Sequence, residues 1–181
     1  MNRDEAFELV WEQLTEDAMR KHVLAVEAVM RGLAKHFGED EDKWGLAGLL
    51  HDLDYEQTRD DPDKHALLSA EMLDEKGVDP VIVNAVKAHA DKCERDCLIN
   101  KCIYAADPVT GLVVAAALIR PEKKLEFVKV KSLKKRFKEK RFAAGADRDR
   151  IRAIEETGMQ LEEFLKISLE SMKAVADDLG L

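Results

Sequence analysis

An all-α fold is what this sequence predicts, on three observations. Apolar residues recur at i, i+3, i+4 and i+7 through most of the chain, the spacing of one helix face. Glycines stand where those runs should stop, and no segment carries the alternation of a strand. The 181 residues, 46% hydrophobic and 36% charged, are enough for one domain over 1–181 with a sizeable core. There is no Gly/Ser linker and no repeat of 20 to 50 residues to divide it.

The first helix is expected over residues 4–14, with Ala6, Phe7, Val10, Trp11 and Leu14 on one face. The second, 16–37, repeats the pattern with Met19, Val23, Val26, Met30, Leu33, Ala34 and Phe37, and Gly38 sits where a C-terminal cap belongs. A third runs from Asp42 to Leu50. After the turn Asp60-Asp61-Pro62-Asp63, Pro62 is placed for the first turn of a helix through HALLSAEMLDEKG. Asp79-Pro80 opens the next, VIVNAVKAHA. From Asp96 a long apolar segment, LINKCIYAAD, reaches Asp107, and Pro108 is expected to bend or restart it before VTGLVVAAALI. In the C-terminal part, Ile151, Ile154, Met159, Leu161, Phe164, Leu165, Ile167, Leu169, Met172 and Val175 recur at helical intervals and Gly158 divides them into two helices. Packing onto the preceding helices is the simplest use of that face; a homodimer contact is the alternative.

Charge is unevenly spread. Residues 1–119 carry 13 basic and 25 acidic side chains, 120–141 carry 11 and 3, and 142–181 carry 5 and 9, giving −12, +8 and −4. A basic island on a chain of net charge −8 argues against non-specific nucleic-acid binding. It suits a solvated helix face or the attraction of one phosphorylated ligand. Cys93, Cys97 and Cys102 are odd in number and match no standard disulfide, zinc or iron-sulfur spacing. No apolar run approaches the ~20 residues that cross a bilayer, and the acidic start MNRDEAFELVWEQL is unlike a secretory leader. The expectation is a cytoplasmic protein without a membrane segment.

Four of the five histidines, with two aspartates, are the main clue to function: His22, His51-Asp52, His65, His89 and Asp107. Asp52 follows the apolar run AGLL and Asp107 follows IYAA, so each carboxylate is expected at a buried position. Burying an unpaired carboxylate costs several kcal/mol, which calls for a cation or several donors. A divalent ion between them, with neutral imidazoles from His22 and His51, meets both needs. His36, beside Phe37 and Gly38, reads as a helix-terminal histidine favoured by the dipole.

The order His22, His51-Asp52, Asp107 on successive helices, with the lead-in GLLHDLD, resembles the HD-domain superfamily of metal-dependent phosphohydrolases over residues 16–115. The resemblance implies a helical bundle in which these four side chains hold one divalent metal, drawn from Fe, Mn, Mg, Ni, Co or Zn. It implies cleavage of a phosphomonoester or phosphodiester of a small molecule, a nucleotide above all, by metal-activated water. His65 and His89 resemble the further ligands of two-metal members, with Asp52 bridging; around a single ion they would instead bind phosphate or donate a proton. The chain departs from the fuller pattern at Ala90, where cyclic-dinucleotide phosphodiesterases of the superfamily carry another histidine. It departs again at Leu53-Asp54-Tyr55-Glu56, where relatives place a phosphate-binding lysine or a catalytic acid. Asp54 and Glu56 are candidate acids or partners of the histidines. Lys92, Arg120, Lys131 and Lys135 are candidate substrate cations. The segment from LIRPEKK to GADR is similar to the C-terminal extension of small HD-domain proteins, so 120–181 should pack on the bundle. A catalytically silent module that binds a phosphorylated ligand is the alternative reading.

Overall fold

The computed structural model describes residues 1–181 and contains helices without strands. α1 (Arg3–Gln13) starts in a reciprocal cap: Asn2 Oδ1 accepts from Glu5 N–H and Glu5 Oε2 accepts from Asn2 N–H. α2 (Asp17–Phe37) ends at Gly38, whose φ of 73° is the left-handed cap expected there. α3 (Glu41–Leu50) is capped by Asp40.

α2 and α3 form the centre of the bundle. Val23, Val26, Met30 and Leu33 of α2 are buried, as are Ala47, Leu49 and Leu50 of α3, and each large side chain contributes about 1.5–3 kcal/mol relative to exposure. Gly48 lets the two backbones meet: a Cβ there would lie 2.8 Å from Val26 O and 2.9 Å from Glu27 Cα. This close approach sets where the chain leaves α3, immediately before His51 and Asp52.

α4 (Tyr55–Thr58) is one turn long, and α5 (Leu67–Glu75) begins five residues after Pro62. The expectation that Pro62 opens this helix is therefore corrected. Residues 62–66 form turns instead, ending at Ala66 with φ 67°. A non-glycine residue there costs about 1–2 kcal/mol, and it turns His65 inward. α6 (Pro80–His89) starts as expected, with Asp79 accepting from Val81 N–H and Pro80 in the first turn.

α7 (Leu98–Leu118) runs through Pro108 without a break, against the expectation of a bend or restart there. Ala105, Ala106, Val109, Leu112 and Val113 on either side are buried, so packing on neighbouring helices offsets the hydrogen bond that proline removes. This helix also exceeds the length expected of any apolar run. By length and mean hydropathy (1.4) it is long and apolar enough to cross a bilayer, yet 61% of its apolar window is buried inside the bundle.

The basic island forms a short 3₁₀ turn (Leu125–Phe127) and α8 (Val130–Lys138). Leu133 and Phe137 of α8 are buried against α7 and α10 (Leu161–Ala174), so the island is docked on the fold. α9 (Arg148–Arg152) lies on α7 and continues as a 3₁₀ turn to Gly158, whose φ of 87° divides the C-terminal helices as the sequence indicated. α10 packs on α2, and α11 (Ala176–Leu179) follows. A single buried apolar cluster runs from Ala6 to Leu179.

Candidate metal centre

Five elements deliver the six residues singled out in the sequence. His22 projects from α2, His51 and Asp52 from the end of α3, His65 from the turn before α5, His89 from the last position of α6, and Asp107 from α7. They converge on Asp52. Its Oδ2 lies 3.5 Å from His22 Nε2 and 3.3 Å from His51 Nε2. Its Oδ1 lies 3.4 Å from His65 Nε2 and 3.3 Å from His89 Nε2. Asp107 Oδ1 completes the first group, 3.2 Å from His22 Nε2.

The other ring nitrogen of every histidine is already engaged. His51 Nδ1 is 2.8 Å from Gly48 O, His65 Nδ1 is 2.9 Å from Asp54 Oδ1, and His89 Nδ1 donates to Val86 O. Thr110 Oγ1 gives its hydrogen to Asp107 O at 2.8 Å, so it accepts from His22 Nδ1 at 3.2 Å. This network assigns the proton of each neutral imidazole to Nδ1. All four Nε2 lone pairs then face a carboxylate, and those of His65 and His89 face each other at 3.1 Å. His51 Nε2 is buried without a hydrogen-bond partner. Lone pairs against anions repel unless a proton or a metal ion lies between them, and four imidazole nitrogens converging with two carboxylates are a donor set that fits a divalent ion. Two overlapping groups, His22/His51/Asp107 and His51/Asp52/His89, each bring their ligand atoms within 4.8 Å of one another.

Titration follows from the same arrangement. Burial opposes charging His51, but Asp52 and Asp107 outweigh it and raise its pKa to about 9. Burial disfavours the Asp52 carboxylate too, and is overcome by His51 and His89, which hold it well below the usual range. Asp107 behaves likewise, through His22 and His51. His89 is pushed down, first by burial and then by the charge of His51. Access is one-sided: His51, Asp52 and His89 side chains are at most 8% exposed, whereas His22, His65 and Asp107 are 20–24% exposed.

Asp54 is fully buried behind His65, accepting from His65 Nδ1 and from Ser69 N–H. Burial raises its pKa, but these bonds overcome that and lower it. It therefore orients His65 and does not face the centre. Glu56 points away, accepting from Thr15 N–H, Thr15 Oγ1 and Glu16 N–H. Tyr55 stands at the rim with its ring edge to His65, the centroids 6.2 Å apart.

The cations named from sequence are spread out. Lys92 lies in the turn just past His89. Arg120 stands 13 residues beyond Asp107 past the end of the same helix, about 20 Å along its axis. Lys131 and Lys135 are exposed on α8, whose packing is against α7 and α10. His36 pairs with Glu163 of α10 outside the centre. A cation that sequence reasoning missed does reach it: Arg150 Nη2 lies 3.0 Å from Asp107 Oδ2. Its position in a charge-rich stretch, ADRDRIR, gave no periodic signal.

With these five elements closing imidazole and carboxylate donors around one buried aspartate, the chain matches the HD domain model over residues 19–112, more than half its length, and belongs to that family. The family places it among the metal-dependent phosphohydrolases, which hold divalent metals. Among curated proteins it is similar to Ribonuclease Y of Sulfurovum sp. (strain NBC37-1), 27% identical over 159 residues, covering 86% of this chain and 31% of the relative. Ribonuclease Y of Campylobacter jejuni subsp. doylei is 32% identical over 90 residues, covering 50% and 17%. Ribonuclease Y of Mycoplasma mycoides subsp. mycoides SC is 28% identical over 90 residues, covering 50% and 18%. The chain thus spans less than a third of the length of these relatives. No solved structure matches it.

Proposed function

We propose that the protein hydrolyses a phosphomonoester or phosphodiester of a small molecule, a nucleotide in particular, at a centre that holds two divalent ions. The observation that carries this reading is the division of Asp52: one oxygen faces His22 and His51, the other faces His65 and His89. A carboxylate so placed bridges two donor groups. A divalent ion supplies polarisation of the phosphoryl oxygen and water acidified to near-neutral pH.

The chain's own residues do the rest. His22, His51, Asp52 and Asp107 form the first ligand group, and Asp52, His65 and His89 the second. Gly48 O, Val86 O, Asp54 and Thr110 lock the imidazole tautomers so that Nε2 faces inward. The phosphate approaches across His22, His65 and Asp107, the members open to solvent. Lys92, in the turn after His89, is the lysine of the original candidates closest in sequence to a ligand and is assigned to the incoming phosphate. Arg120, Lys131 and Lys135 are left to the docked extension.

A second reading, cleavage of an RNA phosphodiester, is favoured by one observation: the relatives carry the name Ribonuclease Y. Against it stands the acidic balance of residues 1–119.

The test is a panel of nucleoside monophosphates, cyclic nucleotides, dinucleotides, sugar phosphates and short RNA oligonucleotides, offered to protein loaded separately with Mn, Fe, Co, Ni, Mg and Zn. Release of phosphate or a nucleoside phosphate, lost in Asp52→Asn, supports hydrolysis, and the class of the best substrate separates the two readings. Tight ligand binding with no product under any metal would make the protein a binding module instead.

A further inference from the structure

We infer that Arg150 is a positioning residue of the metal centre, holding Asp107 as a one-oxygen donor, so that the C-terminal extension completes the ligand set. This rests on reading the cluster as a metal centre. The two oxygens of Asp107 are differently engaged: Oδ1 is 3.2 Å from His22 Nε2, and Oδ2 is 3.0 Å from Arg150 Nη2. The same Nη2 donates to the carbonyl of His89 at 2.5 Å. One guanidinium therefore ties a residue of the first ligand group to a residue of the second.

Its own placement is well determined. Asp147 accepts from Asp149 N–H and Arg150 N–H and fixes the start of α9, while Ile151 and Ile154 are fully buried beside it. The guanidinium carbon lies 4.5 Å from the ring centroid of Tyr104, one turn before Asp107 on α7. With Oδ2 committed to Arg150, Asp107 has one oxygen to give. An ion held by His22, His51, Asp52 and that single oxygen has four protein donors and keeps room for water and phosphate. Freed of Arg150, Asp107 turns or grips with both oxygens, and either change alters affinity and coordination.

The experiment uses the full chain stripped of metal and titrated with Mn(II) by calorimetry, and loaded with Co(II) for its visible absorption spectrum. Arg150→Met is expected to weaken the tighter binding event by about tenfold or more and to change the cobalt spectrum. Arg150→Lys, which keeps the charge on a shorter side chain without the planar fork, should weaken it less. Arg152→Met, on the same short helix but lying over Phe137, should leave both readouts as in the parent. A lower melting temperature with parental affinity and spectrum in Arg150→Met would make the arginine a structural strut and overturn the inference. Should that variant fail to fold, parental values in Arg150→Gln overturn it equally. Absence of turnover on every substrate would sink the proposed function and leave these affinities standing, whereas a parent chain that binds neither ion would end both.

Discussion

Asp54 Oδ1 accepts the Nδ1 proton of His65 at 2.9 Å, and the other oxygen of Asp54 is held by Ser69 N–H at 3.0 Å. A fully buried carboxylate thus sets the tautomer and direction of a ligand histidine from behind. Asp54→Asn removes the charge and leaves one of these donors mispaired. Metal binding at the His65/His89 group should weaken 10- to 100-fold, with a stability loss of about 1–3 kcal/mol. Calorimetric metal titration with urea unfolding checks this. An unchanged second binding event would show that His65 needs no orienting partner.

Stability should respond differently to rising pH with and without metal. In metal-free protein the folded pKa of His51 is raised from 6.5 to about 9, so its contribution is full below 6.5 and is lost as pH rises to 9. Asp52 and Asp107 are lowered, so theirs is present above about pH 4 and lost as pH falls through their depressed pKa values. A bound ion replaces the His51 proton and removes the alkaline loss. The gap in melting temperature between metal-loaded and chelator-treated protein should therefore widen from pH 6.5 to 9. A constant gap would contradict the assignment of His51 as a ligand.

Gly48→Ala should be costly although alanine is the better helix former. The added carbon meets backbone atoms of α2 at 2.8–2.9 Å, which cannot swing aside as a side chain does. A loss of about 1–3 kcal/mol is expected from overpacking. Gly48 O also accepts from His51, so metal affinity should fall alongside. Denaturant unfolding and metal titration on the same preparation measure both.

Glu56→Gln separates a catalytic acid from a structural one. Glu56 closes the link between α1 and α2 through Thr15 and Glu16, so the substitution should cost about 1 kcal/mol and leave metal affinity and the pH profile of turnover as in the parent. A shifted acidic limb of that profile would restore Glu56 as a proton donor.

Much of this was legible in the sequence, for identifiable reasons. α2 follows an uninterrupted apolar period and ends at a glycine that only a left-handed cap explains. The pair His51-Asp52 stood out because an apolar helix should not end in a charge without a partner. The prolines were harder. Pro80 follows its capping aspartate and behaves locally, but Pro108 sits among residues buried in a core formed by distant segments, and tertiary packing decides the outcome. Pro62 lost the start of α5 to a turn that directs His65 inward, and that need lies in Asp54, eleven residues upstream. Arg150 was illegible because its partners are 43 and 61 residues away and a lone arginine in a charged stretch has no pattern.

The separation between His22 and Thr110 is 88 residues, and the ligands come from helices scattered over that span. Any ion they grip therefore acts as a clasp on distant parts of the chain. Closing long loops in the folded state is where a clasp gains most, because the unfolded chain retains the freedom that the clasp denies it. Stripping the metal should then lower the melting temperature of the whole bundle in a single transition, and not melt the segment around the centre alone.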